Sequence, residues 1–262
     1  MSRRRNLSFF LEEKGYINQP GRKLVDGTYI LSNHVSAARL ALDKDRDSLY
    51  RNALIAYSST YKMILSKNYS WAFVHSYYSL MYFYQVILAF NDVSLCYDNG
   101  SPFYVKLTLG SQFHKTDGNT HRAVIGLFKN EFASDTEINS EIDGKNVCDW
   151  FEEKRNSVNY KTVPQIDPNI DYGLFNYDVK DELRKQASVY LNDLNLFAYT
   201  PEHSYVAYPL LLINRIKNLY DNKGQSNGYL KTDKDFVRFL GDNIRDKTGK
   251  ISSVIDMIIK DK

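Results

Sequence analysis

The sequence is poor in residues that cross-link chains or bind metals. It has two cysteines among 262 residues, Cys96 and Cys148. Two thiols so far apart form neither a disulfide framework nor the paired cysteines of a zinc site. Free thiols are typical of proteins in a reducing compartment. We therefore expect no metal, no bound cofactor and a cytoplasmic location.

Long uncharged apolar segments are also scarce. The most apolar stretch, 71–90, has the length of a membrane span, but it contains His75, Ser76, Ser79 and Gln85. Polar groups spread along a span are costly, because lipid offers them no hydrogen-bond partners. The pattern favours a helix inside a protein core, and we expect no membrane partner.

Familiar catalytic and phosphate-binding motifs are missing. The sequence contains no glycine loop of the dinucleotide or P-loop type and no His-Glu-x-x-His pair. The net charge of +3 is too small to indicate nucleic-acid binding by itself. The five histidines show no spacing that specifies a catalytic triad. A catalytic or binding site in this protein must therefore consist of residues outside these familiar motifs.

Apolar residues recur at helical spacing along most of the chain and predict a mainly α fold. Ser70 and Thr120 are the expected N-caps of two helices. The alternation at 103–109 predicts a strand, or else an irregular loop, and 27–32 reads as another short strand. The helices are expected at 35–65, 71–90, 120–132, 142–158, 177–194, 206–220, 234–243 and 251–260.

These elements predict three regions. An N-terminal segment covers 1–34, and a helical domain covers 35–200 with an insertion at 92–119. A C-terminal helical extension covers 201–262. Apolar residues in this extension form a stripe that either docks the chain on a larger assembly or packs on its own core. The stripe consists of Leu210, Leu211, Ile213, Ile216 and Leu219.

Arg155 stands near the end of the helix expected at 142–158. It lies close to the apolar face, where a charged group needs partners. One interpretation is a structural ion pair with Asp149 or Glu152, and the other is a site that meets an anion. Tyr160 follows five residues later, about 140° around an ideal α-helix. The two side chains would therefore meet only where the helix ends, or across a dimer axis.

Three blocks of the sequence resemble the HEPN family, the helical nucleotide-binding domain of higher eukaryotes and prokaryotes. SYYSLMYFY at 76–84 is similar to an aromatic helix that often opens Ala/Ser-x-Tyr-x-Ala. HRAVIGLFKNEF at 121–132 is similar to a His-x-x-Val/Ile-x-x-Phe helix, and KRNSVNY at 154–160 to an Arg-Asn-x-x-Asp-Tyr helix end. The resemblance covers about residues 50–195 and rests on the order and spacing of the blocks.

The resemblance implies a bundle of four to five helices, usually dimeric. Many members are metal-independent endoribonucleases of toxin–antitoxin, phage-defence and RNA-processing systems. It places Arg155, Asn156 and Tyr160 as catalytic residues, with Arg155 stabilising charge on a scissile phosphate. His121, Lys154 and Asn159 are the accompanying substrate-binding residues. The implied partners are RNA or a nucleotide, a second copy of the chain, and an antitoxin or defence-complex protein.

One position departs from the pattern of the active enzymes. They carry His where this sequence has Tyr160. A phenol with a pKa near 10 is a poor general base at neutral pH, although it can donate a hydrogen bond to a phosphate oxygen. Two functions therefore stay open. One is an endoribonuclease with an atypical Arg-Asn-x-x-x-Tyr site, and the other is a non-catalytic module that binds RNA, a nucleotide or a protein.

Overall fold

The computed structural model describes residues 5–116, 118–161, 167, 189–225, 230 and 233–244. Helices hold most of these residues, and the described strands form two small antiparallel sheets. This confirms the mainly α fold class. The helices are α1 (Asn6–Glu13), α2 (Ser32–Leu65), α3 (Tyr69–Phe90), α4 (Thr120–Glu131), α5 (Val147–Asn156), α6 (Leu194–Ala198), α7 (Ser204–Asn222) and α8 (Lys234–Ile244).

Most of the predicted helices are present. Helices expected at 35–65, 71–90, 120–132, 206–220 and 234–243 correspond to α2, α3, α4, α7 and α8. The helix expected at 177–194 lies almost wholly outside the described residues, and the one at 251–260 lies wholly outside them. Apolar periodicity explains the success for α4 and α8, because it reflects the face that each of these helices buries.

The predicted insertion contains a three-stranded antiparallel sheet where the sequence indicated one strand. Its strands β1 (Val93–Asp98), β2 (Ser101–Lys106) and β3 (Phe113–Lys115) pair in the order β1-β2-β3. Asn99 and Gly100 join β1 to β2 with positive φ angles of 46° and 85°. An Asn-Gly pair favours this two-residue hairpin turn, because both central residues tolerate the left-handed region.

A second hairpin replaces the start of the helix predicted at 142–158. Its strands are β4 (Glu141–Ile142) and β5 (Lys145–Asn146), joined by Asp143 and Gly144 with φ angles of 51° and 71°. The Asp-Gly turn overrides the helical pattern there. Helix α5 therefore begins only at Val147, after Asn146 caps it by accepting the Cys148 N–H at 3.0 Å.

Three further local predictions were wrong. The cap of α4 is Asn119, whose side chain accepts the Arg122 N–H at 3.1 Å, while Thr120 is the first helical residue. Ser70 lies inside α3, and its backbone N–H donates to a carboxylate oxygen of Asp167 at 3.2 Å. The stretch at 27–32 forms an isolated bridge from Tyr29 to Gln112, not a strand.

The chain divides into two compact units, and two of the three boundaries between them fall within helices. The first unit comprises residues 1–50 and 84–132, and the second comprises 51–83 and 133–262. The first boundary lies within α2, and the next within α3. The predicted regions ending at residues 34 and 200 stay predictions.

Two buried carboxylates organise the first unit. Asp45 in α2 is 4% exposed and accepts the backbone N–H groups of Asn6 and Leu7 at 2.7 and 2.9 Å. It thereby satisfies donors at the start of α1 that have no partner within the helix. Asp98 at the end of β1 accepts the N–H groups of Asn18 and Leu24 at 2.7 and 2.9 Å. These bonds hold the N-terminal segment on the apolar core.

Helix α7 forms the centre of the second unit. Every residue from 204 to 213 is buried, although the helix contains Pro209. Proline has no N–H, so the carbonyl of Tyr205, four residues earlier, loses its helical donor. The hydroxyl of Ser76 on α3 donates to that carbonyl at 2.7 Å. Burial of the apolar stripe in this part of the chain agrees with its packing on the protein's own core.

Helix α8 packs against α2 in the same unit. The side-chain amide of Asn243 donates to the Ser58 hydroxyl at 3.1 Å. Arg51 forms an ion pair with Asp233 at 2.8 Å, and its guanidinium lies 3.9 Å from the ring centroid of Phe236. Part of the C-terminal extension is therefore integral to the second unit.

We predict that Ser76→Ala destabilises the protein by about 1–3 kcal/mol, because the buried Tyr205 carbonyl then lacks a donor. In a Pro209→Ala background the helix regains a donor at residue 209, and the same substitution should cost less. Urea unfolding of the wild type, Ser76→Ala, Pro209→Ala and the double variant measures this coupling. Ser59→Ala is the matched control, since Ser59 bonds only a carbonyl of its own helix. If Ser76→Ala lowers the stability equally in both backgrounds, Pro209 is not the reason why the Tyr205 carbonyl needs the Ser76 hydroxyl.

Candidate functional site

Arg155 is held by one amide and two aromatic rings. Its side chain is half-buried near the end of α5. One terminal nitrogen donates to the side-chain oxygen of Asn156 at 2.9 Å, and the other donates to the hydroxyl of Tyr78 at 3.4 Å. The guanidinium carbon lies 5.6 Å from the ring centroid of Tyr77 and 5.9 Å from that of Tyr78. We refer to these four residues as the Arg155 site.

The packing of α5 on α7 sets the position of Arg155. Trp150 and Phe151 are both buried, and their rings lie 5.0 and 5.5 Å from the ring of Tyr205. Phe73 of α3 packs on the same Tyr205 ring at 4.1 Å. Helices α3 and α5 therefore meet around one buried tyrosine, which brings Arg155 against Tyr77 and Tyr78.

The chain changes helical geometry directly after the site. A π-helical segment, Ser157–Lys161, continues from α5. Its hydrogen bonds join residues five apart, and each turn holds more residues than a turn of an α-helix. Residues five apart are therefore separated by a smaller angle around the helix axis than in an α-helix. The 140° expected between Arg155 and Tyr160 assumed α-helical geometry throughout. The backbone of Tyr160 lies in this segment, whereas its side chain lies outside the described part of the structure.

The surroundings of the predicted site residues differ within the described part of the structure. Asn156 contacts Arg155 directly. Lys154 places its ammonium 5.2 Å from the ring centroid of Trp150, and Asn159 is exposed in the π-helical segment. His121 lies in the first turn of α4, which belongs to the first unit, whereas Arg155 belongs to the second.

The sequence did not single out the aromatic partners of Arg155. Tyr78 belongs to a row of aromatic side chains that repeat on one face of α3 and remain partly exposed. Their spacing of four, three and four residues is the signal that would have identified this face. The row, called the aromatic stripe below, consists of Trp71, His75, Tyr78 and Tyr82.

Burial sets the protonation of the groups around Arg155. It raises the pKa of Tyr77, nearby Glu152 raises it further, and the charge of Arg155 opposes both effects. Tyr77 therefore stays a neutral phenol beside the guanidinium. Burial also lowers the pKa of His75 below its ordinary value of 6.5, which favours a neutral imidazole.

The described ranges lack two other kinds of feature. Among these residues no group of three or more His, Cys, Asp or Glu side chains is arranged to hold a metal ion. Over the same part of the chain, no helix has the length and apolar character needed to cross a membrane.

Comparison with known proteins does not place the chain in a family. No family model, no curated protein sequence and no solved structure matches it. The residues and contacts of this chain are therefore the basis for inferring its function.

We predict that folding stability decreases as the pH falls below about 6.5, partly because of His75. The unfolded chain, with an ordinary imidazole pKa, binds protons that the folded chain does not bind in the window just below that value. Stability is therefore present above this window and is lost as the pH drops through it. Urea unfolding at pH 7.5 and 5.5 should show a smaller loss for His75→Gln than for the wild type.

His203 gives an independent check of the same effect. Burial lowers its pKa, and its Nδ1 lies 2.9 Å from the Tyr190 hydroxyl. His203→Asn should likewise reduce the loss at acidic pH. An unchanged pH dependence in both variants would contradict the assignment of neutral, half-buried imidazoles.

Proposed function

We propose that this protein acts on single-stranded RNA as a HEPN-like, metal-independent endoribonuclease in which Arg155 meets the scissile phosphate. The observation that carries the proposal is the fixed arginine, with Asn156 and Tyr78 bonded to its terminal nitrogens. The planar guanidinium matches the geometry of a phosphate and can donate two parallel hydrogen bonds to it.

Fixing this cation before substrate binds has a chemical advantage. A half-buried donor stabilises developing negative charge more strongly than one in water, and a held donor needs little reorganisation during the reaction. The contacts with the rings of Tyr77 and Tyr78 keep Arg155 in place.

The aromatic stripe supports a single-stranded substrate. Trp71 is 51% exposed, and Tyr78 contacts Arg155 from the same face of α3. Aromatic rings beside a cation suit unpaired nucleotides, because the bases stack on the rings while the cation meets the phosphate. Bases within a duplex are already stacked on each other and would gain little from this surface.

Proton transfer needs a group other than the Tyr160 phenol. His75 lies on the aromatic stripe one helical turn before Tyr78, and its lowered pKa keeps the imidazole neutral near pH 7. A neutral imidazole can accept the proton of a ribose 2′-hydroxyl as that oxygen attacks phosphorus. The P–O5′ bond then breaks to leave a 2′,3′-cyclic phosphate, and the imidazolium returns its proton to the departing 5′-oxygen. In this scheme Tyr160 donates a hydrogen bond to the phosphate.

A non-catalytic module that binds RNA, a nucleotide or a protein is the second candidate. The presence of Tyr160 in place of histidine favours it. Under this alternative Arg155 and the stripe retain the ligand without cleaving it. A homodimer and an antitoxin or defence-complex partner belong to either proposal.

The proposal predicts that Arg155→Ala reduces RNA cleavage by about 10²–10³-fold, as expected for the loss of one charge-stabilising donor. Purified protein is incubated with a labelled single-stranded RNA and excess EDTA, and cleavage rates are compared. Arg238→Gln is the matched control, because the Arg238 side chain is 82% exposed on α8. His75→Gln should also reduce cleavage, and Tyr160→Phe should do so less strongly.

The same assay separates the two candidates. RNA binding without cleavage by the wild type, weakened in Arg155→Ala, supports the non-catalytic module. Cleavage that is equal in the wild type and Arg155→Ala contradicts the endoribonuclease proposal. Neither binding nor cleavage by the wild type contradicts the endoribonuclease and also the RNA-binding form of the module.

A further inference from the structure

The first unit contains an open groove that is separate from the Arg155 site. It lies beside β2, the end of β3 and α4, and its volume is about 500 Å³. Clefts of several hundred Å³ are typical of small-ligand sites. This α4 groove is lined by residues that include Tyr104, Lys115, Thr116, Arg122, Gly126 and Asn130.

The groove carries two uncommitted positive charges. Lys115 and Arg122 are both exposed, and neither charged group has a hydrogen bond or ion pair within the described ranges. Glu131 also lines the groove, but its carboxylate is bound by Lys106. The remaining charge is therefore positive, which suits an anionic group such as a phosphate.

An aromatic ring stands beside these cations. Tyr104 is half-buried on β2, and the ring of His114 packs against it at 5.1 Å with a tilt of 32°. His114 lies directly opposite Tyr104 in the β2–β3 pairing. The sheet thus holds the phenol ring in place, and a planar heterocycle can stack on it. Thr116 and Asn130 add hydrogen-bonding groups to the lining.

Gly126 leaves one wall of the groove open. It lies within α4, where a glycine weakens the helix relative to alanine. A Cβ at this position would meet no atom within 4 Å, so the described protein does not require a glycine there. The missing side chain leaves space over the helix at the lining of the groove.

We propose that the α4 groove binds a nucleotide, as a free molecule or as one unit of single-stranded RNA. The phosphate meets Lys115 and Arg122, and the base stacks on Tyr104 over the space left by Gly126. A ligand with only a ring would leave the two cations without a partner, and a ligand with only a phosphate would leave Tyr104 without a stacking partner. The inference is independent of the Arg155 site, which lies in the other unit.

Isothermal titration calorimetry with AMP tests the free nucleotide, with adenosine and ribose 5-phosphate as the half-ligands. The double variant Lys115→Gln, Arg122→Gln should bind AMP about tenfold or more weakly, because hydrogen bonds to charged groups are lost. Gly126→Leu should weaken binding by filling the space, whereas Gly126→Ala should bind almost as well as the wild type. Arg22→Gln, an exposed cation of the same unit, is the charge control.

A uridine decamer tests whether the groove binds a nucleotide that is part of single-stranded RNA. The protein carries Arg155→Ala in this experiment, so that binding at the Arg155 site does not contribute. Circular dichroism establishes that each variant is folded. Binding of AMP or the decamer that depends on Lys115, Arg122 and the Gly126 space supports the proposal and identifies the source. The absence of binding by both probes, or binding that none of these variants weakens, overturns it. Equal binding of adenosine and AMP also overturns it.

Discussion

The carbonyl oxygen of Tyr205 is the group on which the arrangement of the second unit depends. Pro209 deprives it of a helical donor in a buried part of α7, where an unbonded carbonyl is costly. Ser76 supplies the missing bond and so joins α7 to α3. The ring of the same tyrosine packs on Trp150, which orients α5. The location of Arg155 follows from these contacts.

The two candidate binding regions both place cations beside aromatic rings, but they hold the cations differently. In the Arg155 site the cation is half-buried and held by Asn156 and the Tyr78 hydroxyl, so it is prepared for one orientation of an anion. In the α4 groove Lys115 and Arg122 are exposed and long, so they can adjust to a ligand. A fixed donor suits charge stabilisation in a reaction, whereas adjustable donors suit binding alone.

Some signals in the sequence predicted the structure well, and others were present but missed. Apolar periodicity identified the long helices, because it records the buried face directly. It failed at Asp143 and Gly144, where a two-residue turn starts a hairpin inside an apparent helix. The Asn99-Gly100 turn in the insertion was also missed, and so a three-stranded sheet was predicted as a single strand. Both dipeptides were present in the sequence as turn signals.

By itself, the sequence determined the mainly helical class, most helix positions and Arg155 as the residue with chemical interest. These features depend on local spacing and on the cost of a charge near an apolar face. Only the tertiary structure decided which groups hold Arg155. Tyr77 and Tyr78 lie more than 70 residues away in sequence, and their contacts form because α3 and α5 pack around Tyr205. No local pattern encodes such a meeting, since it arises from the packing of whole helices.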